Sequence, residues 1–142
     1  MRKRLRLPKY DYSLGGAYFI TVCTYERRPV LEGMAAALVA SELFQLQVRF
    51  RLTLDYHVVM TDHVHAILFL PSSTVTLSQV VGAFKSLTTI QLHRLGLDAG
   101  KVWQRSFFDR VVRDEKELMA LRQYIQQNPL ADAVEKGVFG SS

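Results

Sequence analysis

The run Asp55-Tyr56-His57-Val58-Val59-Met60-Thr61-Asp62-His63-Val64-His65-Ala66-Ile67-Leu68-Phe69-Leu70 decides how this chain is read. Its two β-rich apolar segments, Tyr56–Met60 and Val64–Leu70, flank the turn-forming pair Thr61-Asp62, the pattern of two adjacent antiparallel strands or of one bent strand. Successive strand residues point to opposite faces, so Val64 goes one way while His63 and His65 project together the other way, about 7 Å apart at the backbone. Two imidazoles on one face of a rigid strand can converge on a single cation. Strand histidines are also common as half-buried polar residues, so the pair gains meaning only from the rest of the chain.

Upstream of this run, Ala17–Tyr25 carries Tyr18, Phe19, Ile20, Thr21, Val22 and Thr24 and is predicted to be a strand following a Gly15-Gly16 turn. From about Met34 to Phe50, Ala35, Leu38, Leu43, Leu46 and Val48 recur at helical spacing among polar residues. Downstream, Val80, Val81, Phe84, Leu87 and Leu92 mark a second helix from about Leu77 to Leu95, and Trp103–Val112 reads as an edge strand. A last helix opens on a capping-box-like Asp114-x-x-Glu117, carries an apolar stripe of Leu118, Leu121 and Ile125, and is predicted to end at about Asn128 because Pro129 follows. Tyr124 and Asn128, four residues apart, rise from one face of its last turn. On spacing alone, Tyr124 is equally an amphipathic residue at the core edge and Asn128 a helix cap.

The order β-α-β-β-α-β-α implies an α+β fold. Four strands form one antiparallel-rich sheet with helices against one face, as in ferredoxin-like and RNA-recognition-like domains. The final helix, laid across or beside the open face, would bring Tyr124 near His63 and His65.

Composition bounds the possibilities. With 142 residues and 49% hydrophobic content, the chain reads as a single domain, 1–142, with a real core. Residues 1–13 read as a basic arm, where Arg2, Lys3, Arg4, Arg6 and Lys9 concentrate the excess behind a net charge of +5. Such an arm seeks an acidic polymer or solubilises a terminus, and nucleic acid is the expected partner. The single cysteine, Cys23, excludes an internal disulfide and a cysteine zinc site. No apolar run approaches the ~20 residues of a membrane span or forms a signal peptide, so a soluble, cytoplasmic protein is expected.

Six fragments, in order, carry a family resemblance from about Leu7 to Asp132. Val59-Met60-Thr61-Asp62-His63-Val64-His65-Ala66-Ile67-Leu68 resembles the histidine-hydrophobic-histidine motif of HUH single-tyrosine transposases, and Tyr124-Ile125-Gln126-Gln127-Asn128-Pro129 resembles their nucleophile motif. Gly82-Ala83-Phe84-Lys85-Ser86 and Val102-Trp103-Gln104-Arg105-Ser106-Phe107-Phe108-Asp109-Arg110 are similar to the same family. The openings Leu7-Pro8-Lys9-Tyr10-Asp11-Tyr12 and Tyr18-Phe19-Ile20-Thr21-Val22-Cys23-Thr24 point to its REP-associated branch. Two departures stand out. Thr61-Asp62 replaces an expected Pro-Asn, which adds negative charge beside the metal position, and Ala66 replaces an expected glycine, which narrows the approach of DNA.

The resemblance implies that His63 and His65 are metal ligands, Asn128 a third ligand and Tyr124 the nucleophile. It implies a metal-dependent enzyme that cleaves and rejoins single-stranded, hairpin-bearing DNA through a 5′-phosphotyrosyl intermediate, as a monomer or a homodimer. DNA contacts are expected from Arg2, Lys3, Arg4, Arg6, Lys9, Lys85, Arg105 and Arg110. Mg²⁺ or Mn²⁺ is the expected ion, although imidazole also favours Zn²⁺. A divalent cation would neutralise charge at a phosphodiester attacked in line. A phenol with an ordinary pKa of ~10 needs a nearby cation or base, for which Lys85, Arg105 and Arg110 are candidates. The rival reading from another class is a non-catalytic single-stranded nucleic-acid-binding module that stacks bases on an open sheet.

Overall fold

The β-branched and aromatic residues before Tyr25 form β1 (Ala17–Cys23), which pairs antiparallel with β3 (His63–Phe69) at the middle of a four-stranded sheet ordered β2-β3-β1-β4. The computed structural model describes residues 15–72 and 74–135, and of 129–135 the backbone alone. The arm residues Arg2, Lys3, Arg4, Arg6 and Lys9 and the Leu7–Tyr12 motif lie outside the described residues.

The run Asp55–Leu70 is two antiparallel strands, β2 (Thr53–Val59) and β3, with the turn closed by the Met60 amide donating to the His63 carbonyl at 2.8 Å. Gly15 sits at φ 112°, and a Cβ there would lie 2.7 Å from the Leu70 carbonyl oxygen, so only glycine fits where the chain enters β1. Helices α1 (Gly33–Phe50) and α2 (Leu77–Arg94) begin and end within a residue of the periodicity reading. The Thr76 hydroxyl accepts from the Gln79 amide and the Gln79 side chain returns the bond, a full capping box at the start of α2.

Alternation assigns the two sheet faces. Ile20, Val22, Val64, Ala66 and Leu68 point to α1 and α2, where they bury against Val39, Leu43, Val80 and Phe84. Ala17, Phe19 and Ile67 point the other way and bury against Leu118 and Ile125 of α3 (Glu115–Glu135). The sheet is covered on both sides over part of its length, which is why β3 reads as a nearly continuous apolar run.

Three boundaries differ from the sequence reading, the first being β1, which stops at Cys23 because Tyr25 opens a 3-10 turn. The segment 103–112 is not one strand: β4 is only Phe108–Val111, and Trp103 meets Thr24 in an isolated bridge. Between them the carbonyls of Gln104, Arg105 and Ser106 turn to the Lys85 ammonium at 2.8, 3.1 and 3.2 Å, which removes them from strand pairing. Helix α3 does not stop at Asn128 but continues to Glu135. Pro129 removes the one bond its N–H would have made, and the good helix formers after it sustain the helix. Asn128 is thus a helix-interior residue rather than a cap.

Candidate active site

His63 and His65 project from the start of β3 on the face that α3 covers, with ring centroids 4.7 Å apart. Register does the positioning: Cys23 and Thr21 of β1 lie opposite His63 and His65. The Thr21 hydroxyl is therefore placed 2.9 Å from His65 Nδ1, and Phe19, two residues earlier on the same face, stacks on the His65 ring at 5.3 Å. His63 Nδ1 lies 2.7 Å from Asp62 Oδ1, and the other oxygen of that carboxylate accepts from Arg27 Nε at 3.3 Å. Arg27 reaches it from a tight turn in which Glu26 and Arg27 both hold φ 54°. Both Nδ1 atoms are engaged, so Nε2 is the nitrogen each ring has to offer outward.

Helix α3 delivers the third group. The Tyr124 ring stands edge-on to His65 at 5.4 Å and to Phe19 at 6.2 Å, within the same chain, and is 52% exposed, open to a polymer from solvent. Asn128, half-buried, follows one turn later on the same helix. The helix is held at β2 by Arg122, whose Nε and guanidinium N–H donate to the two Asp55 oxygens at 2.8 and 2.9 Å while the guanidinium lies 5.3 Å over the Tyr56 ring. A register shift between Leu54 and His57 bulges β2 at those two residues.

Electrostatics favour neutral imidazole at the centre. Burial, helped by His63 and Arg27 and opposed by hydrogen bonding to the Ile20 backbone, pushes the His65 pKa down to about 4. Burial would raise the Asp62 pKa, but the His63 hydrogen bond and Arg27 outweigh it and hold the carboxyl below its ordinary range. Asp62 thus serves as a carboxylate anchored between a guanidinium and an imidazole, the usual partner of a metal-ligating histidine.

The basic side chains named from the sequence lie elsewhere. Lys85 is on α2, on the other side of the sheet, with its ammonium spent on three carbonyls and its pKa lowered by burial. Arg110 pairs with Glu117 at the start of α3. Arg105 is exposed beside Lys85. The aromatic partners of Tyr124 are instead His65 and Phe19. Phe19, Thr21, Arg27, Asp55 and Arg122 escaped the sequence reading, since their relevance depends on strand register and on where α3 lands. Among the described residues no group of three or more His, Cys, Asp and Glu side chains is gathered to hold a metal. The two imidazoles of His63 and His65, with ring centroids 4.7 Å apart, are the donors the structure brings together.

Residues 14–128 match the family model described as "Transposase IS200 like". Two Haemophilus influenzae proteins are similar. One, uncharacterised, is 24% identical over 91% of this chain and 88% of its own length. The other, provisionally named a REP-associated tyrosine transposase, is 23% identical over 84% of this chain and 73% of its own length. Among solved structures, a REP-associated tyrosine transposase bound to a REP hairpin superposes with a TM-score of 0.70 at 22% identity, over 97% of this chain and 76% of that one. A protein from Deinococcus radiodurans, provisionally described as a transposase, gives 0.62 at 23% identity, over 89% and 97%. The same α+β sheet with its helices is therefore shared.

Proposed function

Because this chain belongs to the IS200-like transposase family, we propose that it cleaves and rejoins single-stranded DNA, hairpin-bearing like the ligand of its structural relative, with Tyr124 as the nucleophile. One observation carries this reading: Tyr124 stands against His65 of its own chain, with His63 beside it.

The tyrosine oxygen attacks the scissile phosphorus as the bond to the 3′ oxygen breaks. The phenol proton is given up, and the leaving oxygen takes one to become a free 3′-OH. The DNA remains joined to the protein through its 5′ phosphate, and reversal with another 3′-OH restores a continuous strand. Because the phosphotyrosyl bond conserves the energy of the phosphodiester, no nucleotide cofactor is needed. His63 and His65, through Nε2, and the Asn128 amide oxygen would hold a divalent cation, Mg²⁺ or Mn²⁺, which would polarise the phosphate and neutralise its developing charge. The residues present suit that role: both Nδ1 atoms are anchored and His65 is unprotonated at neutral pH. Thr21 and Phe19 fix the His65 ring, and Asp62 with Arg27 fixes His63.

The binding-module alternative needs an open sheet face for stacked bases. Here Phe19 and Ile67 on that face are buried against Leu118 and Ile125, which argues for the enzyme. The reading is tested with His63→Ala, His65→Ala and the double variant on a hairpin oligonucleotide. Cleavage should fall to background, as it should for wild type in chelator, while thermal unfolding stays cooperative. Undiminished cleavage by the double variant in chelator would overturn the metal assignment.

A further inference from the structure

We propose that the groove between the middle of α2 and the loop 100–105 is a subsite for unpaired nucleotides of the DNA strand that runs through the active site. The inference rests on the reading of the protein as a single-strand transposase, and it names where that strand is gripped.

The groove is an open cavity of about 670 Å³. Its walls carry Lys85, Lys101 and Arg105 and no carboxylate. Asp98, in the adjoining loop, is taken up by Arg28 at 3.5 Å, and the same guanidinium donates to the Lys101 carbonyl at 2.6 Å and so fixes the loop. Lys85 is committed to the carbonyls of 104–106, so its part is to hold that wall. Lys101 and Arg105 are exposed, and the Lys101 ammonium caps the half-buried Tyr25 ring at 5.4 Å. Opposite, Ile90 leaves an apolar side chain 49% exposed in the same groove. Exposed cations beside an aromatic face and an aliphatic floor, with no acid to repel phosphate, are the chemistry that binds single strands: phosphates to the cations and base faces to the ring. A paired base hides its faces inside the stack, so the occupant is unpaired DNA.

Position ties the groove to the site. Gln104 N donates to the Cys23 carbonyl at 2.9 Å and Tyr25 N to the Val102 carbonyl at 2.8 Å, while Thr24 N donates to the Asp62 carbonyl at 2.9 Å. The groove wall, the end of β1 and the start of β3 are thus consecutive, and two strand spacings, about 10 Å, separate the wall from His63. A strand leaving the histidines reaches Tyr25 by rounding the end of β1 to the α2 side of the sheet.

The test uses the Tyr124→Phe protein, which should bind without cutting, with a dT oligonucleotide and a blunt hairpin as probes in fluorescence anisotropy across a salt series. Adding Lys101→Gln and Arg105→Gln together should weaken dT binding by at least about tenfold and make the salt slope shallower by about 1.4. Adding Tyr25→Leu should weaken it about fivefold or more with the slope unchanged. The blunt hairpin should lose much less in each case, with thermal unfolding matched throughout. Unchanged dT affinity and slope would overturn the proposal, and so would an equal loss on the blunt hairpin, which would place the stem in the groove. The tyrosine chemistry fails separately: groove-dependent binding without a covalent adduct from the wild-type protein sinks that reading and leaves the groove standing.

Discussion

His65 shows how neighbours turn a strand histidine into a ligand-ready group. It is 6% exposed, stacked on Phe19 and hydrogen-bonded through Nδ1 to Thr21, and its pKa of about 4 keeps it neutral across physiological pH. In the metal-free protein this has a consequence for stability. The unfolded chain binds a proton at this residue below its ordinary pKa of ~6.5, whereas the native state resists doing so until about 4. Between those values the unfolded state holds more protons, so the contribution of His65 is fully present above ~6.5 and is lost as pH falls toward 4. Denaturant unfolding of metal-free protein should therefore show a stability that falls on acidification across that window, and His65→Gln should flatten the fall. An identical pH profile for the variant would refute the burial of a neutral imidazole. Thr21 and Phe19 could not be singled out from sequence as the groups that do this. The alternation of β1 puts them on one face, but that they meet His65 depends on pairing across 44 residues.

At the scale of elements, the decisive feature is how α3 is seated. Its start was legible, since Asp114 Oδ1 accepts from the Glu117 amide at 2.8 Å as the capping-box spacing implied. Its end was not, because the bias of a residue before proline is a preference that a helix can override. Its seating was also hidden, because nothing in the run Asp55-Tyr56-His57 announces a bulge. The bulge nevertheless presents Asp55 and Tyr56 to Arg122, two residues before Tyr124. Breaking this half-buried bidentate pair with Arg122→Ala should cost about 1–2 kcal/mol after allowing for solvent screening. Cleavage should fall further than stability explains, by about tenfold or more at saturating DNA, because a displaced Tyr124 misses in-line geometry. The charge-reversed pair Asp55→Arg with Arg122→Asp should recover part of the rate. A variant whose only defect is a lower unfolding midpoint would show that the pair holds the fold without aiming the tyrosine.

Taken whole, the molecule places one face of its sheet against α1 and α2 and the other under α3, where Tyr124 meets His65 of the same chain. The strand pair, both long helices and the convergence of His63, His65 and Tyr124 were legible, because each follows from a local period or from a resemblance that runs over most of the chain. The basic residues were legible only as charge. Lys85 and Arg110 turn out to be partnered within the protein, on loop carbonyls and on Glu117, and what a cation is free to do depends on such partners. The most direct test of the account is to incubate wild-type and Tyr124→Phe protein with single-stranded hairpin DNA and a divalent cation, denature, and map any covalent adduct by peptide mass spectrometry. The expected result is a 5′-phosphate linkage on Tyr124 with a free 3′-OH product, and neither adduct nor cleavage from a Tyr124→Phe protein that still binds the DNA. Normal cleavage by that variant, or an adduct on another tyrosine such as Tyr25 or Tyr56, would contradict it.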